Sequence, residues 1–352
     1  MNYSHTLGVS SNESMPELSA HSLEVTETLI SGARFLVILV AARLLAETMV
    51  RFKLPTILGE LVAGLIVGIS GLHLVVPPET QSALSEGFSA VLGGLAHVPG
   101  DVVGELYAET FPSVEAVASL GLFSLLFLTG LESDLDELVA VGGKATSVAV
   151  AGVVLPFAIG TAGLMAIFHV DLIPAVFAGA SMTATSIAIT ASVFGELKML
   201  RSSEGQIVLG AAVLDDILGI VILAVVVSLA SSGSLTVGPI ISLVAAAVVF
   251  VLAAIGLCRS AAPLFDKVIE NLEATGEIVV ASFVVLVVCA FTAAAIGLEA
   301  ALGAFAAGLI LSKSKHRHDI EQQVKPVVAL FATIFFVPVS YTHLTLPTRA
   351  VV

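Results

Sequence analysis

The chain has 352 residues, of which 57% are hydrophobic and only 12% are charged, and its mean hydropathy is +1.06. These values lie far outside those of soluble domains and indicate a protein embedded in the lipid bilayer by several crossings. The net charge of −14, with only 14 Lys and Arg residues, argues against nucleic acid as a partner. Cys258 and Cys289 lie in or beside apolar runs, so no disulfide framework is predicted.

The apolar runs predict an all-α polytopic membrane protein. Residues 1–28 are polar and acidic, and we expect them to form a loose tail outside the membrane. Ten candidate transmembrane runs follow, the ninth of them short for a full crossing. They cover residues 29–50, 55–76, 116–131, 145–168, 172–195, 205–231, 236–257, 276–297, 299–313 and 326–340.

The basic residues between these runs orient them, because they fall only in alternate connections. Basic connections carry Arg51, Lys53, Lys144, Lys198, Arg201, Arg259, Lys267, Lys313, Lys315, Arg317 and Lys325, whereas 77–115, 169–171, 232–235 and 298 contain no Lys or Arg. By the positive-inside rule the basic connections are cytoplasmic. We therefore expect a multi-pass protein of the cytoplasmic membrane with its N-terminus outside and one long outer insert, 77–115, to which we assign no chemistry.

The fifth run is interrupted by small and hydroxyl-bearing residues, among them Ser181, Thr183, Thr185 and Ser186. In apolar helices Ser and Thr commonly hydrogen-bond their own backbone or allow close helix packing. Alternatively, the helix unwinds here and exposes oxygen atoms that bind a cation, because irregular backbone is tolerated at membrane depth where it lines a cavity. The acids of the next run favour the second interpretation.

The sixth run carries two adjacent acids, Asp215 and Asp216, well inside its apolar stretch. An aspartate at the centre of a transmembrane helix costs roughly 2.5–3.5 kcal/mol even on the lenient insertion scale. Neighbouring side chains on a helix point about 100° apart, so one acid can face a cation path while the other faces a partner helix. The long apolar flanks argue against a helix end in water, and we interpret the pair as the functional centre.

Two sequence matches predict an internal repeat. Gly59–Ile66 matches Gly303–Ile310, and Leu122-Phe123 with Phe127 matches Leu330-Phe331 with Phe335. In the predicted topology the two copies enter the membrane from opposite sides, which is typical of inverted-topology secondary transporters with a midplane site. The predicted units are a first repeat, 29–231, a linking helix and cytoplasmic connection, 232–275, and an incomplete second repeat, 276–340. Residues 341–352 break the pattern, and we expect them to be foreign or read-through sequence on a fragment.

Four stretches together resemble the cation:proton antiporters of the CPA2 type, in particular the electrogenic double-aspartate subgroup. They are Leu54–Gly64, Gly121–Leu138, Thr183–Ser186 and Gly210–Ile217. The resemblance covers about residues 29–338 and implies a homodimer in which a core domain moves against a scaffold. It also implies that Asp216 binds the transported cation, with Asp215 beside it and Thr185 and Ser186 at the unwound helix. The basic residue that pairs with Asp215 in such relatives belongs to a helix beyond this chain.

The predicted activity is therefore an exchange of Na⁺ or K⁺, with Na⁺ favoured, for H⁺, without enzymatic chemistry or a cofactor. Burial raises the pKa of a carboxyl group, so one site can bind a cation or protons in turn. The alternatives are a transporter of a small organic solute and a potassium efflux relative, although the latter usually has a single acid. An intramembrane aspartyl protease is disfavoured, because it needs its two acids on separate helices. A cation channel is disfavoured too, because it needs a ring of filter ligands, which inverted repeats do not suggest.

Overall fold

The computed structural model describes residues 20–68, 70–78, 84–232, 237–272 and 276–349. Within these ranges the chain forms fourteen α-helices and no strand. They are α1 (Ala20–Arg51), α2 (Thr56–Val67), α3 (Glu86–Ala96), α4 (Gly100–Glu109), α5 (Phe111–Glu132), α6 (Leu135–Ala140), α7 (Gly142–Ile167), α8 (Leu172–Ser181), α9 (Ile187–Glu196), α10 (Ser203–Ser232), α11 (Val237–Ile269), α12 (Glu277–Ala295), α13 (Ala300–Leu311) and α14 (Arg317–Arg349).

The prediction of an all-helical polytopic membrane protein is confirmed. In the described part of the chain, seven segments are long and apolar enough to cross a bilayer, and α2, α8, α9 and α13 are shorter apolar helices. The seven segments lie in α1, α4–α5, α7, α10, α11, α12 and α14. Most of the predicted runs thus become helices, and the ninth run is short, as predicted.

The helices form two groups. In the larger group, α5 packs along both α13 and α14, α1 packs on α2, and α12 packs on α13. In the smaller group, α7 packs against α8 and α10. Helix α9 contacts α5 and α2 of the larger group and α10 of the smaller one, so it lies at the boundary between them.

The two short helices α2 and α13 each approach a long helix at a glycine. A Cβ atom on Gly308 would lie 1.9 Å from the carbonyl oxygen of Phe127 in α5, and one on Gly64 would lie 2.2 Å from the carbonyl oxygen of Val337 in α14. Only glycine allows backbones to come this close. Gly64 and Gly308 occupy equivalent positions in the matched motifs, so both motifs use the same device to seat a short helix.

The second run, predicted to span 55–76, is helical only as far as Val67. The chain then turns back, and the hydroxyl of Tyr107 donates a hydrogen bond of 2.6 Å to the carbonyl oxygen of Leu74. Val75 is fully buried in a cluster formed with α1, α2 and α5. The end of this apolar stretch, Val75 and Val76, is therefore buried in protein as irregular backbone, which hydrophobicity alone does not distinguish from a helix.

The ends of the chain and the outer insert also differ from the predicted boundaries. Helix α1 begins at Ala20, so residues 20–28 of the predicted tail are helical. The insert 77–115 contains α3 and α4, and α5 begins at Phe111 instead of residue 116. Helix α14 runs on to Arg349, through the change in composition at residue 341.

A buried arginine side chain, Arg34, packs the insert against α1. The side chain of Arg34 is completely buried, and its guanidinium lies 3.7 Å from the centroid of the Tyr107 ring. It also donates a hydrogen bond to the carbonyl oxygen of Tyr107. Stacking on an aromatic face stabilises a desolvated guanidinium, so this contact holds α4 against α1.

Candidate cation site

The fifth apolar run is a broken helix, as the sequence predicts. Helix α8 ends at Ser181, α9 begins at Ile187, and the backbone of residues 182–186 is not helical. The C-terminal end of α8 and the N-terminal end of α9 both face this break. Helix ends carry partial charges, negative at the C-terminus and positive at the N-terminus, so the break presents both signs.

Hydroxyl side chains hydrogen-bond to the backbone at the end of α8 and at the start of α9. Ser181 donates a hydrogen bond of 3.0 Å to the carbonyl oxygen of Phe177, and Thr183 donates one of 2.8 Å to that of Ala180. The side chain of Ser186 accepts a bond of 3.4 Å from the amide of Ile189 and so caps α9. Ser181 and Thr183 therefore bond to the end of α8, which is the ordinary role of such residues in apolar helices.

Asp215 reaches the break from the adjacent helix α10. Its side chain is buried, and its Oδ2 accepts a hydrogen bond of 3.1 Å from the backbone amide of Thr185. When this carboxyl group is ionised, the bond is stronger than one between neutral groups, and the negative charge faces the positive end of α9. The structure thus brings together Asp215 and Thr185, two of the residues singled out in the sequence.

Asp216 follows on the same uninterrupted helix and is half-buried. The charged groups close enough to act on it are Glu299, at the start of α13, and Asp215. Sequence reasoning missed Glu299. Its signal was available, since it is the one charged residue between Glu277 and Lys313. Glu299 therefore acts on Asp216 electrostatically from the start of α13.

A cavity of about 360 Å³ lies between the break and the larger helix group. It is lined by Leu61, Val62, Leu65, Ala184, Ser186, Ile189, Val339 and Ser340. Ser186 therefore faces this cavity, whereas the amide of Thr185 is turned to Asp215. Neither Asp215 nor Asp216 is among these lining residues. The cavity lies between the break on one side and α2 and α14 on the other.

The acids are not arranged as a resident metal centre. Over the ranges that the structure describes, no three His, Cys, Asp or Glu side chains are grouped to hold a metal ion. A transported cation needs a weaker site, because it must leave as readily as it enters. The half-buried carboxylate of Asp216 offers a hard oxygen donor of the kind that such a cation prefers.

Replacing Asp215 by Asn should lower the stability of the protein while keeping the hydrogen bond between residue 215 and the amide of Thr185. The amide oxygen still accepts from Thr185, but the negative charge facing α9 is lost, and we expect a loss of about 1 kcal/mol in the free energy of unfolding. Thermal melts of the detergent-solubilised protein measure this change. Asp171→Asn is the matched control, because Asp171 precedes α8 without a side-chain capping bond. Equal melting temperatures for the two variants would contradict the role given to Asp215.

The chain matches the family model described as sodium/hydrogen exchanger, transmembrane, over residues 35–341. It is 42% identical over 317 residues to the high-affinity Na(+)/H(+) antiporter NhaS3 of Synechocystis, an alignment that covers 89% of this chain and 69% of that protein. It is 30% identical over 303 residues to a Na(+)/H(+) antiporter of Enterococcus hirae, covering 86% of this chain and 70% of the relative.

A solved structure shows the same fold. The sodium proton antiporter MjNhaP1 of Methanocaldococcus jannaschii superimposes with a TM-score of 0.52 at 18% identity, covering 90% of this chain and 69% of the other. At that identity the likeness concerns the fold alone. Together with the match of the family model over most of the chain, it leads to one conclusion: the chain belongs to the sodium/hydrogen exchanger family of membrane proteins.

Proposed function

We propose that this protein is a secondary active antiporter that exchanges Na⁺ for H⁺ across the cytoplasmic membrane, with Asp215 and Asp216 at its ion site. The observation that carries the proposal is the bond between Asp215 and the break in α8–α9. The names of the relatives support the exchange. K⁺ is the second candidate, since a relative from Bacillus cereus, 28% identical over 304 residues, is named a Na(+)/H(+)-K(+) antiporter.

Asp216 is the group that exchanges ions in this proposal. Its carboxylate binds a partly dehydrated cation together with oxygen atoms at the end of α8, and a proton neutralises the same carboxylate when the cation leaves. Binding of one ion therefore excludes the other. Asp215 keeps its hydrogen bond to Thr185 and positions α9, so the two adjacent acids have different tasks.

The two helix groups support alternating access in this proposal. We assign the ion site to α8, α9 and α10, and residues of α2 and α14 line the cavity beside α9, which also packs on α5. Movement of the first set along the second would expose the site to each side in turn, in a homodimer whose larger groups stay fixed in the lipid bilayer. The cavity beside the break lies along this boundary.

Ion exchange is tested with the full-length protein in acid-loaded liposomes that contain a pH-sensitive dye. Added Na⁺ should restore the fluorescence by driving protons out, and K⁺ should do so less effectively. An organic solute should have no effect on this signal. Flux that required such a solute and ignored both Na⁺ and pH would replace this proposal with the organic-solute transporter.

The proposed orientation makes a second prediction. Leu95 on α3 and Lys144 at the start of α7 are both exposed, and the basic connections assign them to opposite sides of the membrane. In a protein without its two native cysteines, Leu95→Cys should react with an impermeant maleimide in intact cells. Lys144→Cys should react only after the membrane is permeabilised. The reverse labelling would overturn the orientation.

A further inference from the structure

Helix α2 has no cap of its own. Its N-cap position is Pro55, which makes no side-chain capping bond, and its first turn contains no acidic residue. The first amides of a helix have no partner within the helix and need an acceptor from elsewhere. The start of α2 lies near the predicted cytoplasmic side, because Lys53 immediately precedes it.

Glu196, the last residue of α9, supplies the missing cap from 140 residues away. Its Oε2 accepts a hydrogen bond of 2.7 Å from the amide of Thr56, and its Oε1 accepts one from the hydroxyl of Thr56. A longer bond of 3.4 Å joins the amide of Ile57 to the same Oε1. A carboxylate at a helix N-terminus is stabilised both by these bonds and by the helix dipole.

This cap is a direct hydrogen-bonded link between α9 and α2 of the larger helix group. Helix α2 belongs to the larger group, and α9 begins at the break that Asp215 and Ser186 hold. The ten residues of α9 form a rigid rod of about 15 Å between the cap and the break. The position of Glu196 is therefore coupled through α9 to the position of the break.

We propose that Glu196 is a positioning residue whose bond to the start of α2 holds α9, and with it the ion site, in the observed conformation, so that each transport cycle breaks and remakes this cap. This inference rests on the antiport function proposed above. The cap lies toward the predicted cytoplasmic side of the cavity, so it closes the cytoplasmic approach to the break. The group of helices that carries the ion site is released when the cap opens.

The test uses full-length protein in vesicles of both orientations, with Ile189→Cys as a reporter in the cavity wall. In Glu196→Ala, the rate of cytoplasmic thiol modification of this cysteine should rise about fivefold, as expected for the loss of one capping interaction. The apparent KM for Na⁺ should change in opposite directions on the two sides, because access is redistributed while the ligands stay intact. Glu196→Gln keeps an acceptor oxygen and should restore part of the wild-type behaviour.

Two further variants separate positioning from simple stabilisation. Thr56→Val removes a donor and should have a smaller effect in the same direction, without adding to Glu196→Ala. Glu204→Ala, on the exposed first turn of α10, is the matched control and should change neither readout. A Glu196→Ala protein with a lower melting temperature but with the labelling rate and KM values of Glu204→Ala would overturn the inference. Wild-type vesicles without exchange would refute the antiport function instead, since the labelling requires no transport.

Discussion

Asp216→Asn should abolish Na⁺-driven proton movement, with a fall of at least a hundredfold in initial rate to the level of empty liposomes. Asparagine keeps the size of the side chain, but it can neither release a proton nor supply the charge that offsets dehydration of the cation. Both halves of the exchange should therefore fail together. The measurement is dequenching of the pH-sensitive dye after Na⁺ is added to acid-loaded liposomes.

Two variants make the result for Asp216 specific. Asp216→Glu retains a titratable carboxyl group at a changed distance and should keep a measurable but slower exchange. Asp171→Asn makes the same chemical change at the N-terminal end of α8 and should leave the rate close to wild type. Exchange at the wild-type rate and affinity in Asp216→Asn would remove the proposed mechanism, although the helical fold would stand.

Among the substitutions proposed for this protein, Gly308→Val should destabilise the fold most, lowering the free energy of unfolding by about 3 kcal/mol or more. The first carbon of any side chain at this position would lie 1.9 Å from the carbonyl oxygen of Phe127 and 2.7 Å from the amide nitrogen of Leu131. Backbone atoms cannot move aside as a flexible side chain can, so α13 would have to separate from α5. The melting temperature in detergent and the yield of folded protein should both fall.

Gly152→Val provides the matched control for this packing. Gly152 also lies within a long apolar helix, α7, but a Cβ atom there would meet no other atom within 4 Å. This variant should melt within a few degrees of wild type, because a surface substitution away from special contacts changes stability by about 0.5 kcal/mol or less. Similar melting temperatures for the two variants would show that the α5–α13 contact is looser than in the structure.

Much of the fold could be predicted because the lipid bilayer limits which structures can cross it. A helix that spans the bilayer needs about 20 apolar residues, so the long apolar runs predict the approximate bounds of helices such as α7 and α10. The break between α8 and α9 could also be predicted, since several hydroxyl groups in an apolar run compete with helical hydrogen bonding. The same reasoning singled out Thr185 and Asp215, which the structure joins by a hydrogen bond.

The remaining features depend on contacts between distant parts of the chain. After Val67, Leu74 and Val76 lie in irregular backbone that contacts Tyr107 and the insert 77–115, and no local pattern in the sequence predicts those contacts. In the sequence Glu299 is an isolated acid between two apolar runs. Its connection to the candidate site appears only in the structure, where it lies close enough to act on Asp216. Glu196 likewise resembles an ordinary surface charge until α2 is found at its side chain.

The shortness of α2 and α13 has an electrical consequence. Each has 12 residues and is about 18 Å long, whereas the hydrocarbon layer is about 30 Å thick. Where α2 lines the cavity beside the break, a layer only as thick as this helix is long would shorten the distance over which a transmembrane voltage falls. An elementary charge that crosses the whole field exchanges about 2.3 kcal/mol with it for every 100 mV. In the proposed mechanism, a displacement of a few ångströms by α8, α9 and α10 would then move an ion through much of the voltage drop, and we expect the exchange rate to depend on membrane potential.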